Sequence, residues 1–240
     1  LVARPRLLER MGNRAEARLT LVSAPAGFGK TTVLAAWLYE ASAEGRCVAW
    51  LSLDAADNEP ASFWTYVVTA VQGAVPGVGA GALELLASSP VPTELVLTTL
   101  LNELAAAPGE VWLVLDDYHL VDNHEVNEGL AFLLEHLPSH VHVVVSTRAD
   151  PHLPLARWRV RGELVEIRAA DLRFTPDETN AYLNVVTGLD LVRERLERVL
   201  GLVAGLGLGR PELPHGCHVV VRGLRGVLDR LADRFAGERA

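Results

Sequence analysis

The chain has 240 residues, half of them apolar and 22 % charged, with a formal net charge of −8. This is an ordinary globular composition, with room for one large core or a large domain plus a small one. The acidic balance argues against a generally nucleic-acid-binding surface, and the longest bland apolar run, near Val199 to Leu208, is too short and glycine-rich to span a bilayer. Two cysteines, Cys47 and Cys217, permit at most one bridge and are expected to stay reduced in a cytoplasmic protein. The first residue is Leu1 rather than Met, which suggests a piece of something longer.

Short β-branched runs alternate with helical patterns. "LTLVSA" (19–24) reads as a strand and "KTTVLAAWLYEAS" (30–42) as the helix after it. "CVAWLSL" (47–53) is a second strand, followed by a helix near 60–72. A Gly/Pro/Ala-rich connection then leads to a helix over 93–107. "EVWLVLDDY" (110–118) and "HVHVVVSTR" (140–148) are continuous apolar runs, the mark of strands buried on both faces, with a helix over 127–137 between them. "LVEIR" (164–168) is a fifth strand. Thr175 and Pro176 open a capped helix over 175–186. This alternation predicts an α/β fold with a parallel sheet covered on both sides. From about Leu191 two amphipathic helices flank a breaker-rich stretch, 201–223, that gives no clear element.

"APAGFGKT" (24–31) fits the phosphate-loop pattern G-x-x-x-x-G-K-S/T, with Ala24 in place of the first glycine, and it lies between a strand and a helix as the motif requires. Lys30 is the only lysine in the chain; the other basic side chains are all arginine. Its retention here suits a compact point charge reaching β- and γ-phosphates, a slot that the rigid arginine fork does not fit. The residues assigned to nucleotide are Ala24, Pro25, Ala26, Gly27, Phe28, Gly29, Lys30, Thr31 and Thr32. Backbone N–H groups of Gly27, Gly29, Lys30 and Thr31 would converge on phosphate at the helix N-terminus. A side chain at Gly29 would obstruct that approach. The Thr31 hydroxyl would ligate Mg²⁺.

Asp116 and Asp117 end an apolar strand. Asp116 is placed to hold Mg²⁺, as in a Walker B motif, and Asp117 to orient or deprotonate the attacking water. Arg148 ends the next strand and would face the γ-phosphate; a surface ion pair is its alternative reading. Arg157, Arg159 and Arg161 offer another phosphate contact or, the preferred reading, an exposed arginine face. His119 adjoins the acidic pair and has two readings, contact with nucleotide or water and, preferred, a structural hydrogen bond. Pro138 separates His136 from His140, and "HGCH" (215–218) lacks a second ligand pair, so neither is taken as a metal site.

Together "LVSAPAGFGKTTVLAAWL", "AWLSLDAADNEPASFWTYV", "LVLDDYHLVDN" and "STRADPHLPLARWRVRGELVEIRAADLRFT" resemble the nucleotide-binding domain of MalT-like, LuxR-type transcriptional regulators, signal-transduction ATPases of the STAND class. "DN-P--FW-Y" and "ADLRFT" are not generic phosphate-loop features. The resemblance implies a P-loop NTPase αβα sandwich of strand order 5-1-4-3-2 over residues 1–190. It also implies that Arg4 and its neighbouring backbone lie near the adenine.

A small lid, a sensor arm and a C-terminal helix-turn-helix follow in the family, with ATP permitting self-association and DNA binding. Neither sensor arm nor helix-turn-helix is present in these 240 residues, so DNA is expected as a partner only through a module outside them. Residues 191–240 are a divergent lid, a truncation or a shifted reading frame. The expected function is an ATP/ADP- and Mg²⁺-binding switch with slow hydrolysis at most; the alternative is a stand-alone ATPase whose turnover is its function.

Overall fold

The computed structural model describes residues 4–12, 17–88, 91–187 and 221–222. In chain order these form α1 (Pro5–Gly12), β1 (Leu19–Ser23), α2 (Lys30–Ala43), β2 (Cys47–Ser52), α3 (Pro60–Ala74), α4 (Ala80–Ala87), α5 (Thr93–Ala105) and β3 (Val111–Asp116). A 3-10 turn (Tyr118–Leu120) leads to α6 (His124–His136), β4 (Val141–Thr147), α7 (Leu155–Arg161), β5 (Leu164–Arg168), α8 (Ala169–Leu172) and α9 (Pro176–Thr187). The sheet order is β5-β1-β4-β3-β2, as expected, and every pairing is parallel. A two-residue strand, β6 (Val221–Arg222), lies beside β2, within a stretch whose sequence gave no clear element. The expected boundary at 190 and the helices expected after it lie outside the described residues.

The period-2 alternation of the strands divides the interior into two layers. Leu21, Leu113, Leu115, Val143 and Val145 face one side and pack under α3 to α6. Val22, Val114, Val144 and Ile167 face the other, against α1, α2 and Leu172. Trp112 on that second side meets Trp37 edge-on at 4.6 Å and stacks on buried His142 at 4.3 Å. His142 is satisfied there through a 3.0 Å hydrogen bond between Nδ1 and the Ala17 carbonyl.

Four helices were not anticipated. α4 occupies the Gly/Pro/Ala-rich connection, and its first turn is capped from a distance. Glu103 of α5 accepts from the Gly81 N–H at 2.9 Å and also from the Gly79 N–H. No local sequence signal carries a cap supplied by another helix. α1, α7 and α8 are short, and the N-cap of α7 is Pro154, which offers no side-chain cap.

Helices α3 and α6 touch where Gly129 lies against Trp64. A Cβ at Gly129 would fall 2.7 Å from Trp64 Cζ2, and the indole, fully buried, has no room to retreat. Gly129→Ala therefore overpacks the core by about 1–3 kcal/mol, more than the gain in helix propensity of up to about 1 kcal/mol. Urea denaturation should show a net loss near ~1 kcal/mol; equal or greater stability would contradict this packing.

Candidate functional site

Polar side chains gather where the buried strands end. β1 runs through Leu21 and Val22 to Ser23, and the chain turns at Ala24, whose N–H donates to the Thr147 carbonyl of β4 at 3.2 Å. Among the described non-glycine residues only Asp117 has a positive φ, so Ala24 sits in ordinary backbone space and the pattern's first glycine is not needed there. Gly27 and Gly29 do need to be glycine, at φ 82° and 75°. A Cβ at Gly29 would meet no protein atom within 4 Å, so conformation rather than crowding by the protein fixes that residue. Phe28 packs against the α1–α2 layer, and Pro25, Ala26 and Gly27 are exposed.

Lys30 opens α2 and is only 7 % exposed. Its Nζ folds back over the loop and donates to the carbonyls of Ala24 at 2.8 Å and Pro25 at 3.2 Å. Burial draws this ammonium below the ordinary lysine range, with Asp117 and Asp116 opposing the shift and Arg148 adding to it. One residue on, Thr31 Oγ1 donates to Asp116 Oδ2 at 3.2 Å. Thr32 is partly buried beside it.

Asp116 is the last residue of β3, buried, with Oδ1 accepting from the Asp117 N–H at 3.0 Å. Burial raises its pKa and the neighbouring Asp117 charge raises it further, against the Ser146, Asp117 N–H and Thr31 dipoles. The Ser146 hydroxyl lies fully buried on β4 and makes no well-formed hydrogen bond. Asp117 adopts left-handed backbone (φ 57°, ψ 35°), a conformation that aspartate tolerates better than most residues. The chain therefore reverses after the acidic pair. Tyr118 enters the core, its hydroxyl donating to Asn127 Oδ1 at 3.0 Å, and His119 returns towards Asp117 with Nδ1 3.7 Å from Oδ1.

Arg148, just past β4, is exposed and forms no ion pair with a carboxylate among the described residues; its charge bears on Lys30 and His119. The α7 arginines differ. Arg157 pairs with Glu135 at 2.7 Å, Arg159 with Glu166 at 2.8 Å and Arg161 with Glu163 at 3.9 Å, so they form a surface ion-pair face. Arg4 is buried, and its guanidinium is committed within the protein. Nη2 donates to the Leu172 carbonyl at 2.6 Å and the Arg173 carbonyl at 3.1 Å, Nε lies 3.5 Å from Glu178, and the group stacks over Phe174 at 4.7 Å. His136 and His140 bond separate carbonyls, those of Phe132 and Leu104, on either side of the helix end. "HGCH" lies outside the described residues.

Two contributors were missed. One is Ser146, hidden inside an apolar strand. The other is Asn58, which joins the loop after β2 to the turn after β3. Its Nδ2 donates to the Leu120 carbonyl at 2.8 Å, its Oδ1 accepts from the Asp122 N–H at 2.7 Å, and its carbonyl accepts from Asn123 Nδ2 at 2.9 Å. The "DN-P" pattern contained Asn58, but nothing local reveals a partner more than sixty residues away.

No protein-family model matches the chain. Among curated proteins, the HTH-type transcriptional regulator MalT of Cronobacter sakazakii is 36 % identical over 207 residues, covering 85 % of this chain and 22 % of that protein. MalT of Yersinia enterocolitica is 34 % identical over 206 residues, with coverages of 85 % and 22 %. The chain thus spans about a fifth of the length of these relatives. Among solved structures, the Orc1 protein of Aeropyrum pernix, in complex with DNA, aligns with a TM-score of 0.50 at 20 % identity, covering 77 % of this chain and 48 % of that one. Cdc6p of Pyrobaculum aerophilum aligns with a TM-score of 0.50 at 17 % identity, covering 75 % and 48 %. These likenesses establish the fold, a P-loop α/β sandwich.

The buried Asp116 has a testable consequence. Its folded-state pKa is raised, so the penalty on its charge is absent below the unfolded aspartate value, near ~3.9. It grows as pH rises from that value through the folded one. Asp116→Asn, without nucleotide, should therefore melt higher than the parent at pH 7, with the gap closing as pH falls towards about 4. A variant that melts lower across this range would contradict the assigned cause.

Proposed function

We propose that this chain, related over 85 % of its length to the MalT regulators, is an ATP- and Mg²⁺-binding switch domain with slow hydrolysis at most. The observation that carries the reading is the meeting of Lys30, Thr31 and Asp116 at the carboxyl ends of the parallel strands, the side where α/β sheets bind ligands. Lys30 Nζ already holds two oxygen acceptors, so phosphate oxygens could replace the carbonyls of Ala24 and Pro25 without further desolvation. The N–H groups of Gly27, Gly29, Lys30 and Thr31 open α2 and would face the β-phosphate, where the helix dipole favours an anion.

The residues fit magnesium. Thr31 and Asp116 offer two hard oxygen donors 3.2 Å apart, and a cation there would offset the burial penalty on the Asp116 carboxylate. The ion, when bound, would neutralise charge on the phosphate oxygens. Asp117 would orient or deprotonate the attacking water, and Arg148, which forms no ion pair with a carboxylate among the described residues, would reach the γ-phosphate. A carboxylate one methylene shorter than glutamate holds water less firmly, which favours slow turnover. The backbone beside Arg4 would border the adenine, with the Arg4 guanidinium fixing that segment to residues 172–178. In the whole protein nucleotide would control self-association and transcription regulation in the cytoplasm, with DNA read by a helix-turn-helix outside these 240 residues. No described helix is long and apolar enough to cross a membrane.

ATP with Mg²⁺ at a hundredfold excess over Kd should stabilise the chain by about 2.7 kcal/mol. Lys30→Ala should abolish that shift in thermal melting without unfolding the protein, and a shift surviving in the variant would contradict the assignment. Asp117→Asn should keep the shift and lose most single-turnover hydrolysis, by roughly a hundredfold. Parent-rate hydrolysis in Asp117→Asn would remove Asp117 from the base role.

A further inference from the structure

We propose that Asp150 and Arg168 are a positioning pair for Arg148, strapping the segment that carries it across the end of β1; the inference rests on the nucleotide-binding reading above. Arg148 follows the last residue of β4, is exposed, and forms no ion pair with a carboxylate among the described residues. A long side chain on an irregular segment meets a particular phosphate oxygen reliably only where the backbone beneath it is fixed. Here the neighbours of Arg148 fix it.

The sheet order places β1 between β5 and β4. The parallel register sets Ser23, the last residue of β1, beside Thr147 of β4 and Arg168 of β5. Ser23 directly precedes Ala24, where the phosphate loop begins, and the Thr147 carbonyl accepts from the Ala24 N–H at 3.2 Å. On one side of Arg148, Thr147 Oγ1 donates to the Ala149 carbonyl at 2.7 Å. On the other, Asp150 reaches back over β1. Its Oδ1 lies 3.5 Å from the Ser23 hydroxyl and accepts from Arg168 Nη1, while its Oδ2 accepts from Arg168 Nη2 at 3.3 Å. Adjacent strands lie about 4.8 Å apart, so the pair bridges roughly two strand spacings. Arg148 thus sits between two anchored residues.

An isolated ion pair this close to solvent would hold little, because Asp150 is half-exposed and water competes for it. Two features set this pair apart. The contact is fork on carboxylate, each guanidinium nitrogen meeting its own oxygen, which fixes direction as well as distance. Arg168 is also immobilised in its turn. Its Nη2 donates to Glu166 Oε1, and Arg159 of α7 clamps the same carboxylate through Nε at 2.8 Å and Nη2 at 2.9 Å. The Arg168 N–H donates to Asp171 Oδ2 at 2.8 Å, and Asp171 Oδ1 accepts from Arg10 of α1 at 2.7 Å. Arg159 first, then Arg168, hold the Glu166 carboxyl down to about 2, so the network keeps its charges through the neutral range. Asp150, Glu166, Arg159 and Arg168 together carry no net charge. The strap therefore holds a neighbouring cation in place without itself drawing the phosphates.

Four variants of the 240-residue chain test this: Asp150→Ala, Arg168→Ala, Arg148→Ala and the Arg148→Ala/Asp150→Ala double. Calorimetric affinities for AMPPNP with Mg²⁺ and for ADP would be measured beside the melting temperature. Arg148 is directed at the γ-phosphate, so its loss or displacement is felt by AMPPNP and not by ADP. Each single variant should weaken AMPPNP binding about tenfold, with ADP affinity within about twofold and melting within a few degrees of the parent. In the Arg148→Ala background the second substitution should change AMPPNP affinity by less than about twofold, because the strap then has nothing to position. Asp150→Ala at the parent AMPPNP affinity would overturn the inference. So would equal losses for AMPPNP and ADP, or a further loss in the Arg148→Ala background, since either makes the pair a structural one. Arg148→Ala at the parent affinity for both nucleotides would overturn it while leaving the phosphate-loop reading intact. A parent that binds neither nucleotide would remove that reading and the inference together.

Discussion

β1, β3 and β4 have no wet face, and the rest of the molecule is arranged around that constraint. Residues along them alternate between two apolar layers, so a polar side chain is accommodated mainly where a strand ends or where a specific partner meets it. Ser23, Asp116, Ser146 and Thr147 cluster at the carboxyl ends, where the parallel register brings Ser23 beside Thr147 and Leu115 beside Val145. Because these ends abut a low-dielectric slab, the ionisable groups beside them are poorly solvated. Lys30, Asp116 and His119 all shift in the direction that disfavours their charge, with burial the largest cause for each. A site in which cations and carboxylate alike are short of solvent is one that a charged ligand and its counter-ion can complete.

Two connections tie this cluster to the periphery. Asn58 links the loop after β2 to the turn bearing Asp117 and His119, so the positions of both depend on a neighbouring strand. On the other side, Arg4 and Arg6 converge on Glu178, whose Oε1 accepts from Arg6 Nε at 2.8 Å, and Arg10 pairs with Asp171 at 2.7 Å. α1 is thereby fastened to α8 and α9. The segment before β1 and the segment that follows β5 are held as one assembly, beside the layer that supports the phosphate loop.

Most of the sheet could be read from the sequence because its signals are local. The apolar runs at 111–115 and 141–145 announce strands buried on both sides, and Thr175 with Pro176 announces α9. The loop and acidic pair were equally visible, since a fixed spacing carries their chemistry. What escaped depends on partners remote in sequence. α4 is capped by Glu103 of another helix, and Asn58 finds its partners beyond residue 119. Arg4 fell into the segment the resemblance pointed to, but its guanidinium turned out to be held by the Leu172 carbonyl and Glu178, bonds no spacing rule contains. His119 was read as a residue with a structural hydrogen bond; the left-handed Asp117, invisible in sequence, instead leaves its Nδ1 buried and unpaired.

The central claim, that the strand ends form a nucleotide site with Lys30 as the mobile charge, is tested most directly by a crystal structure of the chain with Mg²⁺ and a non-hydrolysable ATP analogue. In that complex Lys30 Nζ is expected to leave the Ala24 and Pro25 carbonyls for the β- and γ-phosphate oxygens, while Thr31 and Asp116 face one metal ion. Lys30 still on those carbonyls, with the analogue bound elsewhere, would contradict it.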